Sequence, residues 1–276
     1  MTQAIQNIQA TYAFVERNAN LVKRYWAWEL VWLTYSLANS LSVSYIGLGM
    51  EALTGREANI DGRYLVLYLV IGTLVWRYLS LIFIWITDII QIERWEGTIE
   101  YTLMAPISRW VHMAGQTLFA VAYSLFFTGI ILAISVSLFQ IDLSNANLAG
   151  GLLTLVSGSF SFIGIGIMAS VLPLLFPERG AQMTHIVIAL LLLVSGVYYP
   201  VSVLPEALQA LSAFSPATFV LEGVRAALLE GAPMAQLWPF IWPVLGMGVI
   251  SIPAGLKIFN LAEQFAKRTG RLARNG

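Results

Sequence analysis

The chain has 276 residues, of which 58% are hydrophobic and 11% charged, with a mean hydropathy of +0.75. A water-soluble domain carries about 45–50% apolar and about 25% charged residues, so the composition excludes a soluble globular fold and marks an integral membrane protein. Fifteen basic residues balance fifteen acidic ones, which leaves no basic surface for nucleic acid; with no Cys and only His112 and His185, thiol redox chemistry is excluded and zinc or haem sites are poorly supplied.

A hydrocarbon core about 30 Å thick takes a helix of about 20 mostly apolar residues. Residues 1–29 precede the first such run. There Ile5, Ile8, Tyr12 and Val15 recur every three or four positions, followed by Arg17, Lys23, Arg24, Trp26 and Trp28. This pattern predicts an amphipathic helix at the membrane interface. Six transmembrane spans are then expected, over 30–50, 64–90, 111–139, 148–176, 183–199 and 237–259. The first is too long for a signal-peptide core and has no small-residue cleavage site after it, so it is expected to stay in the mature chain.

Arg77 falls at the middle of the second span. An Arg at a helix centre costs about 2.5–3.5 kcal/mol on insertion, so it is expected to face the bundle interior. Asp88 lies about 16 Å further along the same helix, too far to bond. The candidate partners are Asn39, the element carrying Glu222, and backbone carbonyls. Arg77 then serves either an anionic substrate head group or a fixed contact between helices. In the fourth span Gly158, Gly164 and Gly166, with Ser157, Ser159, Ser161 and Ser170, either let helices approach closely or line a path. The fifth span is short and runs into Pro200, Pro205 and Pro216, so residues 199–231 are expected to form a re-entrant element. Within it Glu222 and Arg225 stand three apart, at pairing distance on a helix.

Orientation follows from the basic residues. With both termini cytoplasmic, Arg17, Lys23, Arg24, Arg94, Arg109, Arg179, Lys257, Lys267, Arg268, Arg271 and Arg274 lie inside; Arg56, Arg63 and Arg225 lie outside. Glu51, Glu57, Asp61, Asp142, Glu206, Glu222 and Glu230 then make the outer loops acidic. The sequence has no internal repeat, so residues 1–276 read as a single domain.

The most informative cytoplasmic stretch is 93–109. On a helix, Ile92, Trp95, Ile99 and Leu103 form an apolar stripe, and Glu93, Glu96 and Glu100 form an acidic one, with Pro106 as the stop. Such a stripe is either a solvated face or a docking face. Like charges at this spacing destabilise an isolated helix by a few tenths of a kcal/mol per pair, which favours a partner that neutralises them.

The pattern Glu93-x-x-x-Gly97-Thr98-x-Glu100-Tyr101-Thr102-Leu103-Met104-Ala105-Pro106-Ile107-Ser108 resembles the cytoplasmic connector after the second span of ABC-2-type transporter permeases. Residues 195–205, Ser215-Pro216-Ala217-Thr218 and Glu222-Gly223-Val224-Arg225 resemble the fifth span and extracellular re-entrant helices of the same family. The resemblance implies an all-α polytopic permease of the cytoplasmic membrane, surrounded by membrane lipids, that exports an amphipathic or lipid-like substrate. It also implies pairing with a second copy or a related permease, as homodimer or heterodimer, and with a separate ABC ATP-binding subunit. Residues 93–110 would be the coupling segment, with Glu93, Glu96, Gly97, Thr98, Glu100 and Pro106 toward the ATPase. ATP and Mg²⁺ would belong to that partner, because the Gly-Lys step of a phosphate-cradling P-loop occurs nowhere in this chain. No catalytic residue, metal ligand or cofactor is expected here.

Two other classes fit the sequence less well. A secondary transporter or channel calls for paired mid-membrane charges in inverted repeats, whereas Arg77 alone sits near a span centre. An intramembrane serine protease needs a Ser and a His within about 3 Å, whereas Ser159 and His185 fall about 25 Å apart along the predicted spans.

Overall fold

The computed structural model describes residues 3–54, 62–141 and 143–270. These residues form eleven α-helices and no strand. In chain order they are α1 (Gln3–Arg24), α2 (Trp26–Thr54), α3 (Gly62–Glu96), α4 (Ile99–Met104), α5 (Arg109–Phe139), α6 (Leu148–Ala169), α7 (Val171–Leu175), α8 (Gly180–Val194), α9 (Glu206–Ser212), α10 (Pro216–Leu229) and α11 (Met234–Arg268), with a 3-10 turn at Val201–Val203 before α9. Of the charges assigned to the two membrane sides, Arg56, Glu57, Asp61, Asp142, Arg271 and Arg274 lie outside the described residues.

Among the described residues four helical segments are long and apolar enough to cross a bilayer: Tyr64–Glu96, Arg109–Phe139, Leu148–Leu175 and Met234–Arg268. The two other expected spans differ for physical reasons. α2 is long, but Thr34, Ser36, Asn39, Ser40, Ser42 and Ser44 dilute its apolar character. α8 has 15 residues, about 22 Å of helix, which is short of the hydrocarbon thickness. The expected fourth span is broken near its end, where the Ser170 hydroxyl returns to the Ile167 carbonyl at 2.7 Å and α7 begins a new turn.

α3 is the central helix, packed by α2, α5, α6, α7, α8 and α10. Its Tyr78, Leu79, Ile82, Phe83, Ile86, Ile89 and Ile90 are fully buried. A helix that is apolar on all faces is stable only when so enclosed. α6 and α11 form the most extensive helix pair. A Cβ on Gly164 would lie 2.0 Å from the Ser251 hydroxyl, so the two backbones meet where only hydrogen fits. The serines of α6 serve packing too. Ser161 donates to the Val244 carbonyl of α11 at 2.6 Å, Ser159 meets the Tyr78 hydroxyl at 2.6 Å, and Ser157 bonds within its own helix. His185 is exposed on α8. The prolines of 199–231 act as expected and divide the segment into the 3-10 turn, α9 and α10, with Pro216 at the start of α10. α10 is then buried against α3, α6 and α11.

Candidate functional site

The connector is two helices rather than one. α3 ends at Glu96, and Gly97 takes φ +71°, a left-handed conformation that costs glycine little. The turn is closed by Gly97 N–H donating to the Arg94 carbonyl at 3.2 Å and Thr98 N–H donating to the Glu93 carbonyl at 2.9 Å. The break resets the helical phase, so the expected apolar stripe divides. Ile99 and Leu103 are buried in the cluster that holds Ile89, Ile90 and Phe259, whereas Trp95 is 72% exposed. The outward rim consists of Trp95, Glu96, Glu100, Tyr101, Met104 and Pro106. Tyr101 and Met104, 81% and 80% exposed, carry most of its apolar character. Neither stood out in the sequence, because their exposure depends on the phase change at Gly97.

Glu93 departs from expectation. It does not share the exposed face of Glu96 and Glu100; its side chain is 1% exposed and pairs with Arg17 of α1 at 2.7 Å, with His112 Nε2 of α5 at 3.6 Å. The fully buried His112 ring lies 4.7 Å from the Phe14 ring, and its Nε2 is 3.3 Å from the Gln116 amide, which accepts from Asn18 of α1. α1 therefore packs along α5 through Phe14 and Asn18 and reaches the end of α3 through Arg17, leaving Ile5, Ile8 and Tyr12 exposed on its outer face. A carboxylate sealed there requires a cationic partner, and Arg17 supplies it.

The far end of the connector is fixed from a different direction. Arg109 donates through Nε to Glu263 Oε2 at 2.7 Å and through its terminal nitrogens to the carbonyls of Thr102, at 3.0 Å, and Leu103. Lys267 donates to Glu263 Oε1 at 2.7 Å and to the Leu103 carbonyl at 3.0 Å. The last carbonyls of a helix have no partner within it, and cations suit that end of the peptide dipoles. Glu263, Lys267 and the capping role of Arg109 were missed in the sequence. The one signal available was that Glu263 is the single carboxylate of α11 and stands four positions before Lys267.

The remaining polar candidates do not converge. Arg77 donates to the Ser36 hydroxyl of α2. Asn39, one turn further on, is exposed and is not that partner. Tyr123 of α5 donates to Glu29, a second polar tie to α2. Arg225 is buried, donates to the carbonyls of Gly196 at 3.1 Å and Val197 at 2.6 Å, and lies 3.6 Å over the Tyr68 ring. Glu222 is exposed, and the expected Glu222–Arg225 salt bridge is absent among the described residues. Both line a cavity of about 450 Å³ with Tyr64, Tyr68, Glu230 and Phe240.

Comparison with known proteins bears on the connector and the core together. The family model described as ABC-2 type transporter matches residues 61–229, more than half of the chain, from the start of α3 to the end of α10. The probable multidrug ABC transporter permease YbhR of Escherichia coli (strain K12) is 28% identical over 154 residues, 55% of this chain and 41% of YbhR. The linearmycin resistance permease protein LnrN of Bacillus subtilis (strain 168) is 27% identical over 167 residues, 59% of this chain and 42% of LnrN. The chain thus spans less than half the length of these curated relatives. With its all-helical bundle, its connector motif and this match, the chain belongs to the ABC-2 type transporter family.

Proposed function

We propose that the chain is the permease subunit of an ATP-driven exporter in a prokaryotic cytoplasmic membrane, and that the rim formed by Trp95, Glu96, Glu100, Tyr101, Met104 and Pro106 docks on a separate ATP-binding subunit. The observation that carries this reading is the construction of α4. Its inner residues are locked into the core while large apolar side chains and two carboxylates stand exposed beside them. Exposed aromatic and Met side chains beside charge are a composition suited to a protein interface. The partner would hold ATP and Mg²⁺, and its closure would displace α4.

In this arrangement α2, α3, α5, α6 with α7, α8 extended by residues 195–199, and α11 make six crossings with both termini cytoplasmic. α1 lies at the interface with Ile5, Ile8 and Tyr12 toward lipid, and residues 199–231 fold back into the outer leaflet. A second copy or a related permease completes the pathway. The names of the relatives, a multidrug permease and a linearmycin resistance permease, support an amphipathic substrate. Charge reversal at Glu96 and Glu100 together should lower transport-coupled ATP hydrolysis in reconstituted vesicles while the chain stays in the membrane. Unchanged coupling would overturn the assignment.

A further inference from the structure

The geometry points to Glu263 as a positioning residue that fastens the docking helix α4 to α11, so that displacement of α4 is delivered to the α6–α11 pair. This inference rests on the docking role proposed for α4 and names the path by which motion leaves it.

The two ends of α4 are held very differently. Toward α3, the link is the Gly97 turn, with two backbone hydrogen bonds and a residue that bends at little cost. Toward α11, the Glu263 carboxylate uses both oxygens, each 2.7 Å from a cation, and both cations continue to the carbonyls that end α4. Arg109, Lys267, Glu263 and the Thr102–Leu103 carbonyls therefore form a closed ring. Hydrogen bonds between ionised groups are short and about twice as strong as neutral ones, and a carboxylate only 6% exposed is weakly screened. Beneath the ring, Leu103 packs in the same buried cluster as Phe259 and Ala262, on the face of α11 that carries Glu263.

From Glu263, α11 continues as one helix to Met234, past Pro253, Pro243 and Pro239, and runs along α6. A Cβ on Gly248 would lie 2.6 Å from Phe160 Cβ, and one on Gly255 2.8 Å from the Gly164 carbonyl. Surfaces in such close register move as one body, since sliding would drive backbone into backbone. A push on α4 thus reaches α6 through Glu263, while the Gly97 turn absorbs the change of angle with α3.

The test uses the full chain with its ATP-binding subunit in lipid vesicles. Because the chain has no Cys, spin labels on Ala105→Cys and Ile250→Cys, diluted with unlabelled chain, report one intramolecular distance. With Glu263 present, this distance should hold within about 2 Å between ATP-free and ATP-trapped states; with Glu263→Ala it should shift by about one helical turn, about 5 Å. Transport per ATP hydrolysed should fall about fivefold in Glu263→Ala while ATP hydrolysis persists, and Glu263→Gln should recover part of the loss. A merely structural role would lower assembly and hydrolysis together and leave their ratio to transport unchanged. Should Glu263→Ala not assemble, Lys267→Ala removes the outer leg alone and should lower the same ratio. A distance that changes by a full turn with Glu263 intact, or a normal ratio in Lys267→Ala and in any assembled Glu263→Ala, would overturn the inference. Failure of the docking reading is separable, because it would show as unchanged coupling on reversal of Glu96 and Glu100.

Discussion

Arg17 meets Glu93 at 2.7 Å, and this contact carries the first carboxylate of the connector into the protein interior. The pairing divides the three connector acids into two kinds. Glu93 ties α1 to α3, and of the three only Glu96 and Glu100 remain exposed.

Removing one member of that pair should therefore destabilise the packing of α1 on α3 and α5 without touching the exposed rim of Trp95, Glu96, Glu100, Tyr101 and Met104. Uncompensated buried charges cost about 3–5 kcal/mol, and the partial exposure of Arg17 places Arg17→Ala at or below the lower end. The expected result is a lower thermal midpoint in detergent and faster proteolysis within α1, with a smaller effect for Glu93→Gln because it removes the stranded charge. Arg17→Ala with unchanged melting and unchanged proteolysis would show that the pair does not anchor α1.

Arg225 is expected to act as a staple between α10, α3 and the end of α8. Hydrogen bonds to charged groups contribute about 1.5–3 kcal/mol, and the planar fork that spans the Gly196 and Val197 carbonyls has no equivalent in Lys. Arg225→Lys should thus be nearly as destabilising as Arg225→Ala, measured as the thermal midpoint in detergent. Full recovery by Lys would mean that charge alone suffices there. The orientation of this element is read separately: Cys at Glu206 and at Glu230 should react with a membrane-impermeant reagent applied outside, and reaction only from the cytoplasmic side would reverse the topology.

The Arg77–Ser36 contact ties α2 to the rest of the bundle. Ser36→Ala strands the Arg77 donor and should weaken the folded protein by about 1 kcal/mol, while Asn39→Ala, at an exposed position, should leave monomer stability unchanged. Arg77→Leu should assemble less well than Arg77→Gln if the residue is a fixed contact. Selective loss of anionic substrates in both, with normal assembly, would instead assign Arg77 to substrate. Equal stability of Ser36→Ala and Asn39→Ala would show that the contact carries no load.

What the sequence made legible follows the range of the forces involved. Hydropathy located α3, α5, α6 and α11, since burial in lipid depends on runs of neighbours along one segment. The prolines at 200, 205 and 216 announced the breaks around α9 and α10 for the same local reason. The connector was found, but its phase was not, because a Gly within a helical pattern gives no sign of whether it will take positive φ. The two clamps were hidden by distance along the chain. Arg17 and Glu93 are separated by 76 positions, and Arg109 and Glu263 by 154, so each pair exists only once the bundle has closed. Ser36 was missed in favour of Asn39 by one helical turn, a difference decided by the packing angle of α2 on α3.

The most direct measurement of the central claim is photo-crosslinking from the rim. A photoreactive residue placed at Tyr101 or at Met104, both highly exposed, should yield in native membranes an adduct that also takes up a photoreactive ATP analogue. The same residue at Phe126, exposed on α5 away from the connector, should yield no such adduct. ATP-labelled adducts from 101 and 104 alone are the result this account predicts. ATP-labelled adducts from 126 in place of 101 and 104, or none from 101 and 104 in membranes where transport is intact, would contradict it.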